Sequence, residues 1–184
     1  MLKTSILSTL LTFTLFFQAC SSENKQNPND MVSSNEYVLT AINNTQYIAK
    51  KEPNGFSVEN TKGKVIIFDI FATWCPPCRA AASHLTSLQK KYKDKLVVIG
   101  VTIEDNIPNK KLQDFREMHN AQYTLVNSKE NRRLVDDIAT SLQVGDRFPI
   151  PLMAMYLDGK LINHYVGAIE EEFIESDIKR ALGI

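Results

Sequence analysis

The sequence lacks an excess of charge of either sign, because 21 Lys and Arg residues balance 21 Asp and Glu residues in a chain of 184. A protein that grips nucleic acid needs clustered positive charge to neutralise phosphates. We therefore expect no nucleic-acid partner. The hydrophobic fraction of 43 % is that of an ordinary soluble globular protein that buries one core, and the length suits one domain.

The N-terminal region has no hydrophobic run of the length that spans a membrane. Its apolar and hydroxyl stretch, Ile6–Phe17, is shorter than the roughly 20 residues of a spanning helix. The stretch follows a short positively charged end and precedes Ala19 and Cys20. This arrangement predicts a secretory signal peptide over residues 1–19. A cysteine directly after a small residue resembles a bacterial lipobox, whose cysteine is diacylated, although Phe17 stands where that pattern prefers Leu.

Three outcomes of processing stay open for this N-terminus: a lipoprotein with acylated Cys20, a plain cleaved secretory protein, and an uncleaved anchor. We favour the lipoprotein, and all three outcomes locate the domain outside the cytoplasm. The segment after Cys20 is polar and rich in Asn and Ser, so it buries too little apolar area to order itself. Residues 20–36 are therefore predicted to be a flexible tether between the membrane and a domain at residues 37–184.

Apolar periodicity predicts an α/β domain with a mixed central sheet flanked by helices. A helix is expected to begin in the cysteine segment and to end among the lysines near Tyr92. The Asp158-Gly159 dipeptide predicts a hairpin turn. The other predicted helices are Asn109–Met118, Arg132–Leu142 and Ile169–Leu182, and the predicted strands are Tyr37–Ile42, Gln46–Lys50, Val65–Phe71, Leu96–Val101, Thr124–Val126, Leu152–Tyr156 and Leu161–Val166. The first two strands form an N-terminal hairpin.

Cysteine and histidine are scarce, with three of each in the chain. Cys75 and Cys78 flank two prolines, and four interpretations of the pair compete. A zinc site needs four ligands, but the histidines have no paired spacing. A structural disulfide would close a very short loop and gain little entropy. A redox-inactive pair that only binds a partner is the third, and a reactive dithiol, which we favour, is the fourth. Acylation of Cys20 would leave Cys75 and Cys78 for each other.

The position of the pair supports the reactive dithiol. A strand is predicted to end at Phe71 and a helix to begin at or next to Cys75. Free N–H groups and the positive end of the helix dipole stabilise a thiolate there. Cys78 lies one helical turn deeper, so we expect it to be more shielded. Pro76 and Pro77 fit the first turn because its N–H groups have no helical partner.

The segment Asp69–Cys78 (DIFATWCPPC) resembles the active-site segment of thioredoxins, and the rest of the domain is similar to extracytoplasmic, membrane-attached TlpA/ResA/CcmG-type thioredoxins. Asp69 matches the buried acid of thioredoxins, Pro151 their cis-proline, and Gly167 the glycine after the last strand. The long interval between Cys78 and Pro151 suits the strand and helix that this subfamily inserts. The resemblance implies a thioredoxin fold with a central strand-helix insertion.

The same resemblance implies roles for the site residues. Cys75 would be the nucleophile, Cys78 the resolving thiol and Asp69 a proton acceptor for Cys78. No cofactor is expected. The substrate would dock against the residues around the dithiol, namely Trp74, Pro76, Ile150, Pro151 and Gly167.

Some residues also allow plainer interpretations. Asp69 could be solvated at a strand end, Trp74 could merely cap the core, and Pro151 could be an ordinary trans proline. Many members of the subfamily carry Asn at the position of Asp69, and Pro-Pro is not the commonest dipeptide between the cysteines. Glu104 and Asp105, which follow the strand Leu96–Val101, are expected to prepare the next helix.

The resemblance implies a membrane-tethered reductase of extracytoplasmic protein disulfides, with apocytochrome c as a candidate substrate. Its electrons would come from a membrane reductant of the DsbD/CcdA type. The alternatives are a periplasmic disulfide oxidase or isomerase and, from another class, a redox-inactive lipoprotein that only binds a partner.

Overall fold

The computed structural model describes residues 35–184, which form two sheets and four helices. The signal peptide, Cys20 and nearly all of the tether lie outside the described residues. A three-stranded antiparallel sheet contains β1 (Glu36–Thr40), β2 (Gln46–Glu52) and β3 (Gly55–Val58). The five-stranded sheet contains β4 (Val65–Phe71), β5 (Leu96–Thr102), β6 (Thr124–Val126), β7 (Leu152–Leu157) and β8 (Lys160–Val166). The helices are α1 (Pro76–Lys91), α2 (Asn109–Met118), α3 (Asn131–Ser141) and α4 (Glu171–Leu182).

The larger sheet has the order β6-β5-β4-β7-β8, with β4 at its centre. β4 pairs parallel with β5 and antiparallel with β7, so the predicted mixed sheet is confirmed. The hairpin of β7 and β8 turns at Asp158 and Gly159, which both have positive φ, as the Asp-Gly dipeptide predicts. None of the helices within residues 35–184 has the length and apolarity to cross a membrane.

The predicted N-terminal hairpin was one strand short. β3 pairs with β2 and completes a small sheet whose Phe56 and Val58 side chains point into the core. The strand has only four residues and two inward side chains, so the period of two that identifies a strand barely has room to repeat. Burial against the rest of the protein, rather than local pattern, defines this strand.

The central strand β4 is buried on both faces, and its alternation sorts its side chains. Val65, Ile67 and Phe71 belong to a core cluster that also contains both cysteines. Ile66, Phe68 and Ile70 belong to a second cluster with residues of α3 and the small sheet. By the same alternation Asp69 lies on the face of Val65, Ile67 and Phe71, which we call the dithiol face.

Candidate active site

The two cysteines lie where the chain leaves β4 and enters α1. Cys75 is the N-cap residue of α1, with extended backbone angles, and its sulfur accepts the backbone N–H of Cys78 at 3.2 Å. Cys78 is in the first turn of the helix and is joined to Cys75 by a disulfide with a Cα–Cα distance of 5.3 Å. Within residues 35–184 no three His, Cys, Asp or Glu side chains come together as a metal site.

The two prolines at the first helical positions leave few donors for the Cys75 sulfur. After Pro76 and Pro77, the next backbone N–H groups along the helix are those of Cys78 and Arg79. In the structure the Arg79 N–H instead donates to the backbone oxygen of Cys75 at 3.2 Å, as the first helical bond of α1. Of the residues that begin α1, only Cys78 donates to the sulfur.

The expected difference in shielding between the cysteines was wrong, because each residue is only 2 % exposed. The backbone oxygen of Ile150 lies 3.6 Å from the Cys75 sulfur, and the loop that carries it covers this side of the disulfide. Trp74, directly before Cys75, is 60 % exposed. Position in the helix, rather than exposure, therefore distinguishes the two thiols.

The loop opposite the dithiol has the conformation that the resemblance implies. The Ile150–Pro151 peptide bond is cis, so the trans alternative is wrong. The Gly167 N–H donates to the Pro151 oxygen at 2.8 Å and ties the end of β8 to this loop. Gly167 has φ of 83°, and no atom lies within 4 Å of the position that a Cβ would occupy there. Ile150, Pro151 and Gly167 thus form one edge of the site beside Cys75.

The carboxyl group of Asp69 is enclosed by the protein, so the solvated alternative is wrong. The residue is 2 % exposed, and burial raises the pKa of its carboxyl group to about 7. The Tyr123 hydroxyl donates to Oδ2 at 2.9 Å, a bond that by itself lowers this pKa. The other oxygen, Oδ1, is buried and has no partner among the described residues. Such a carboxyl group can exchange a proton near neutral pH.

Two supporting residues were missed by the sequence analysis. Glu104 accepts the backbone N–H of Thr73 at 2.6 Å and the Thr73 hydroxyl at 3.0 Å, so it fixes the loop that leads to the cysteines. Its expected role at the next helix was wrong, because Pro108 is the N-cap of α2 and no side chain caps it. The available signal was an acid two residues after the end of β5, the parallel neighbour of β4.

The second missed residue is Tyr123, which lies directly before β6. Its side chain is buried, and its hydroxyl is bonded to Asp69, 54 positions earlier in the chain. Nothing in the local pattern around Tyr123 indicates this contact. The partner of Asp69 therefore became known only from the tertiary structure.

Comparison with known proteins agrees with this geometry. A family model described as Redoxin matches residues 23–182. The chain is 44 % identical over 45 residues to the thioredoxin-like protein YneN of Bacillus subtilis, a match that covers 24 % of this chain and 26 % of that protein. It is 24 % identical over 132 residues to the thiol-disulfide oxidoreductase ResA of Bacillus thuringiensis, with 70 % of each chain covered.

A solved structure shows the same fold. A thiol:disulfide interchange protein of the thioredoxin family from Chlorobium tepidum superposes with a TM-score of 0.59 and 19 % identity, over 80 % of this chain and 94 % of that chain. The match supports the thioredoxin fold, and the cysteine pair supplies the chemistry. The chain belongs to the Redoxin family and carries, on a thioredoxin-like fold, the dithiol of a thiol-disulfide oxidoreductase.

Proposed function

We propose that the protein is a membrane-tethered, extracytoplasmic reductase of protein disulfides. The observation that carries the direction is the single backbone N–H, that of Cys78, which reaches the Cys75 sulfur at the start of α1. A thiolate with few donors is weakly stabilised, and a weakly stabilised thiolate makes the dithiol a reductant.

The proposed reaction uses each cysteine in a different step. The Cys75 thiolate attacks one sulfur of a substrate disulfide, forms a mixed disulfide and releases the other substrate sulfur as a thiolate. Cys78 then passes its proton to Asp69 and attacks the Cys75 sulfur. The Cys75–Cys78 disulfide forms and the second substrate thiolate leaves, so the substrate gains the two electrons that the dithiol loses.

Other charges near the sulfur support the same direction. Asp69, when ionised, lies on the dithiol face and disfavours a second negative charge there. Arg79 would favour the thiolate through its positive charge. Its side chain is exposed, however, and its Nε atom donates to the backbone oxygen of Thr73 at 2.9 Å. Solvent and salt screen an exposed charge of this kind. The start of α1 still favours the Cys75 thiolate. With few donors and a buried carboxyl group on the same face, we propose that this stabilisation is only moderate.

The substrate surface that we propose consists of Trp74, Pro76, Ile150, Pro151 and Gly167. Next to it, a cleft of about 430 Å³ runs between the start of α1 and the end of α2, with Trp74 and the 71 % exposed Met118 on its walls. Exposed apolar side chains beside a dithiol suit an unfolded protein segment better than a small polar thiol. Apocytochrome c, before its haem is attached, is such a substrate.

The redox potential tests the direction. We expect a value nearer to the roughly −270 mV of thioredoxin than to the roughly −120 mV of DsbA, measured by equilibration with glutathione. Reduced protein should also reduce insulin. A potential above about −180 mV would favour an oxidase or isomerase. If the protein does not reduce insulin at any potential, the redox-inactive binding protein is the remaining alternative.

The partners follow from the same chemistry. Oxidised protein must be reduced again, and we propose a membrane reductant of the DsbD/CcdA type as the electron donor. A Cys78→Ser variant cannot resolve its mixed disulfide, so it should retain its substrate covalently on Cys75. Identification of the trapped proteins tests the apocytochrome c proposal.

The tether to the membrane is proposed from Cys20, which would carry the lipid. Mass spectrometry of the mature N-terminus should show a diacylated cysteine, and the protein should partition into detergent. A Cys20→Ala variant should be misprocessed and lose the partitioning. An unmodified Cys20 in the mature protein would contradict the lipoprotein and leave plain secretion or an uncleaved anchor.

A further inference from the structure

We propose that Tyr123 is a positioning residue for Asp69: its hydroxyl holds Oδ2 and so leaves Oδ1 as the atom that accepts the proton of Cys78. This inference rests on the proposed reaction, in which Asp69 is the proton acceptor. It adds a residue outside the cysteine segment that determines which oxygen reacts and at what pH.

The first support is the geometry of the carboxyl group. The Tyr123 hydroxyl lies 2.9 Å from Oδ2, and both residues are almost completely buried. Oδ1 is equally buried but has no partner among the described residues. A buried carboxylate oxygen without a hydrogen bond is costly in free energy. The arrangement therefore keeps one oxygen reactive while the other is fixed.

The second support is the space that Gly100 leaves for the tyrosine ring. Gly100 on β5 pairs directly with Asp69 on β4. A Cβ at Gly100 would lie 2.7 Å from the Leu125 side chain, 3.0 Å from Cε2 of Tyr123 and 3.2 Å from the Phe71 ring. A side chain there would have to displace the end of the Leu125 side chain and would crowd the Tyr123 and Phe71 rings. The glycine thus admits the phenol ring to the neighbourhood of Asp69.

The third support is the anchoring of the Tyr123 backbone. The Arg116 guanidinium of α2 donates to the backbone oxygen of Tyr123 at 3.0 Å. The N–H of the preceding residue, Gln122, donates to the Thr86 hydroxyl of α1 at 2.8 Å. The segment is therefore fixed by two helices, and the phenol does not depend on Asp69 alone for its position.

The electrostatic surroundings leave Tyr123 as the main polar influence on Asp69. The strand neighbours of Asp69, Gly100 and Met153, carry no charge. The elements packed against the dithiol face carry further titratable or charged groups, among them Arg79 and His84 of α1, Asp114 and Arg116 of α2, and Asp177 of α4. The causes that shift the pKa of Asp69 are its burial and the Tyr123 hydrogen bond. Removal of the phenol hydroxyl therefore removes the donor that lowers the pKa of Asp69.

The test compares Tyr123→Phe with wild type by NMR titration of isotope-labelled aspartate carboxyl carbons in the reduced protein. We expect the Asp69 midpoint to rise by about one pH unit or more, since a hydrogen bond to a charged group is lost. Tyr156→Phe is the matched control, because Tyr156 is also fully buried but lies in the cluster on the other face of the sheet. An unchanged midpoint in Tyr123→Phe overturns the proposal.

A kinetic test follows the two steps separately with the chromogenic disulfide of thionitrobenzoate. The first equivalent of released thionitrobenzoate reports attack by Cys75, and the second reports resolution by Cys78. In Tyr123→Phe the second step should be about tenfold slower below pH 7, because the Asp69 carboxylate is less populated, and the defect should narrow as the pH rises. If the rate of the second step falls by the same factor at every pH, the role of Tyr123 is merely structural and the proposal is overturned.

Two further variants separate the possible failures. Gly100→Ala keeps the hydroxyl but crowds the Tyr123 ring, so it should raise the Asp69 midpoint in the same direction as Tyr123→Phe. An unchanged midpoint would contradict the role of the glycine space. If Asp69→Asn resolves the mixed disulfide at the wild-type rate, the proposed role of Asp69 fails, and the positioning role fails with it. If Asp69→Asn is slow but Tyr123→Phe is wild type in both measurements, only the positioning role fails.

Discussion

At the scale of single residues, the site depends on a few atoms placed in a dry core. Asp69 is a carboxyl group among apolar side chains, and burial moves its pKa to about 7. Cys78 is in the same core cluster as the apolar neighbours of Asp69 on β4. A base whose pKa is near the working pH is ionised often enough to accept a proton and basic enough to hold it.

A substitution at Asp69 tests this chemistry. Asp69→Asn removes the proposed proton acceptor but keeps an oxygen that can accept a hydrogen bond from the Tyr123 hydroxyl. We expect resolution of the mixed disulfide to slow by about 10²-fold near neutral pH, the usual contribution of a general base, while the attack by Cys75 changes much less. Rapid-mixing kinetics with separate readout of the two steps checks this. Equal slowing of both steps would instead indicate a general disturbance of the dithiol.

At the scale of secondary structure, the junction from β4 to α1 is held by its neighbour β5. Glu104 follows β5 and receives two hydrogen bonds from Thr73 in the loop between β4 and α1. The backbone oxygen of Thr73 in turn accepts a hydrogen bond from Nε of Arg79 in α1 at 2.9 Å. The loop is thus tied to the end of one strand and to the first turn of the helix, which keeps Cys75 at the N-cap position.

Removal of the Glu104 carboxylate should therefore loosen this junction. Glu104→Ala is expected to lower the free energy of unfolding by about 1–3 kcal/mol, because the Thr73 N–H loses its partner. Urea unfolding of the oxidised protein measures this loss. The exposed neighbour provides a matched control: Asp105→Ala should change the free energy of unfolding by less than about 0.5 kcal/mol. Equal effects of the two variants would contradict the role of Glu104.

At the scale of the whole molecule, the buried Asp69 makes the stability depend on pH. The folded protein holds the Asp69 proton up to a pKa of about 7, whereas the unfolded chain releases it near the ordinary value of 3.8. Between these values the folded state binds more protons, so the stability decreases as the pH rises. The full decrease is about 4 kcal/mol, from about 1.4 kcal/mol for each pKa unit.

Asp69→Asn should remove this dependence. The variant should gain stability over wild type as the pH is raised from about 4 to about 8, by a few kcal/mol at the upper end. Carboxyl groups with lowered pKa, such as Asp177 and Glu175, are present in both proteins, so their effects cancel in the difference. Urea unfolding across this range gives the comparison, with Asp105→Asn as control. A difference that does not vary with pH would show that Asp69 ionises freely in the folded state.

The sequence by itself determined the mixed sheet, the four helices and the location of the dithiol. These features depend on local patterns: the apolar run of β4, the period of the helices, the prolines after Cys75 and the Asp-Gly turn. The resemblance to thioredoxins added the cis conformation before Pro151 and the buried acid at Asp69, and the structure confirmed both. The short strand β3 was missed because four residues hold too little of the strand period.

Only the tertiary structure decided what surrounds the two reactive groups. Tyr123 reaches Asp69 across 54 positions, and Glu104 reaches Thr73 across 31. The cover over Cys75 comes from Ile150, which is 75 positions away. Pattern in a sequence reports which face of its own element a side chain occupies, whereas these contacts depend on how distant elements pack, and no local period records that packing.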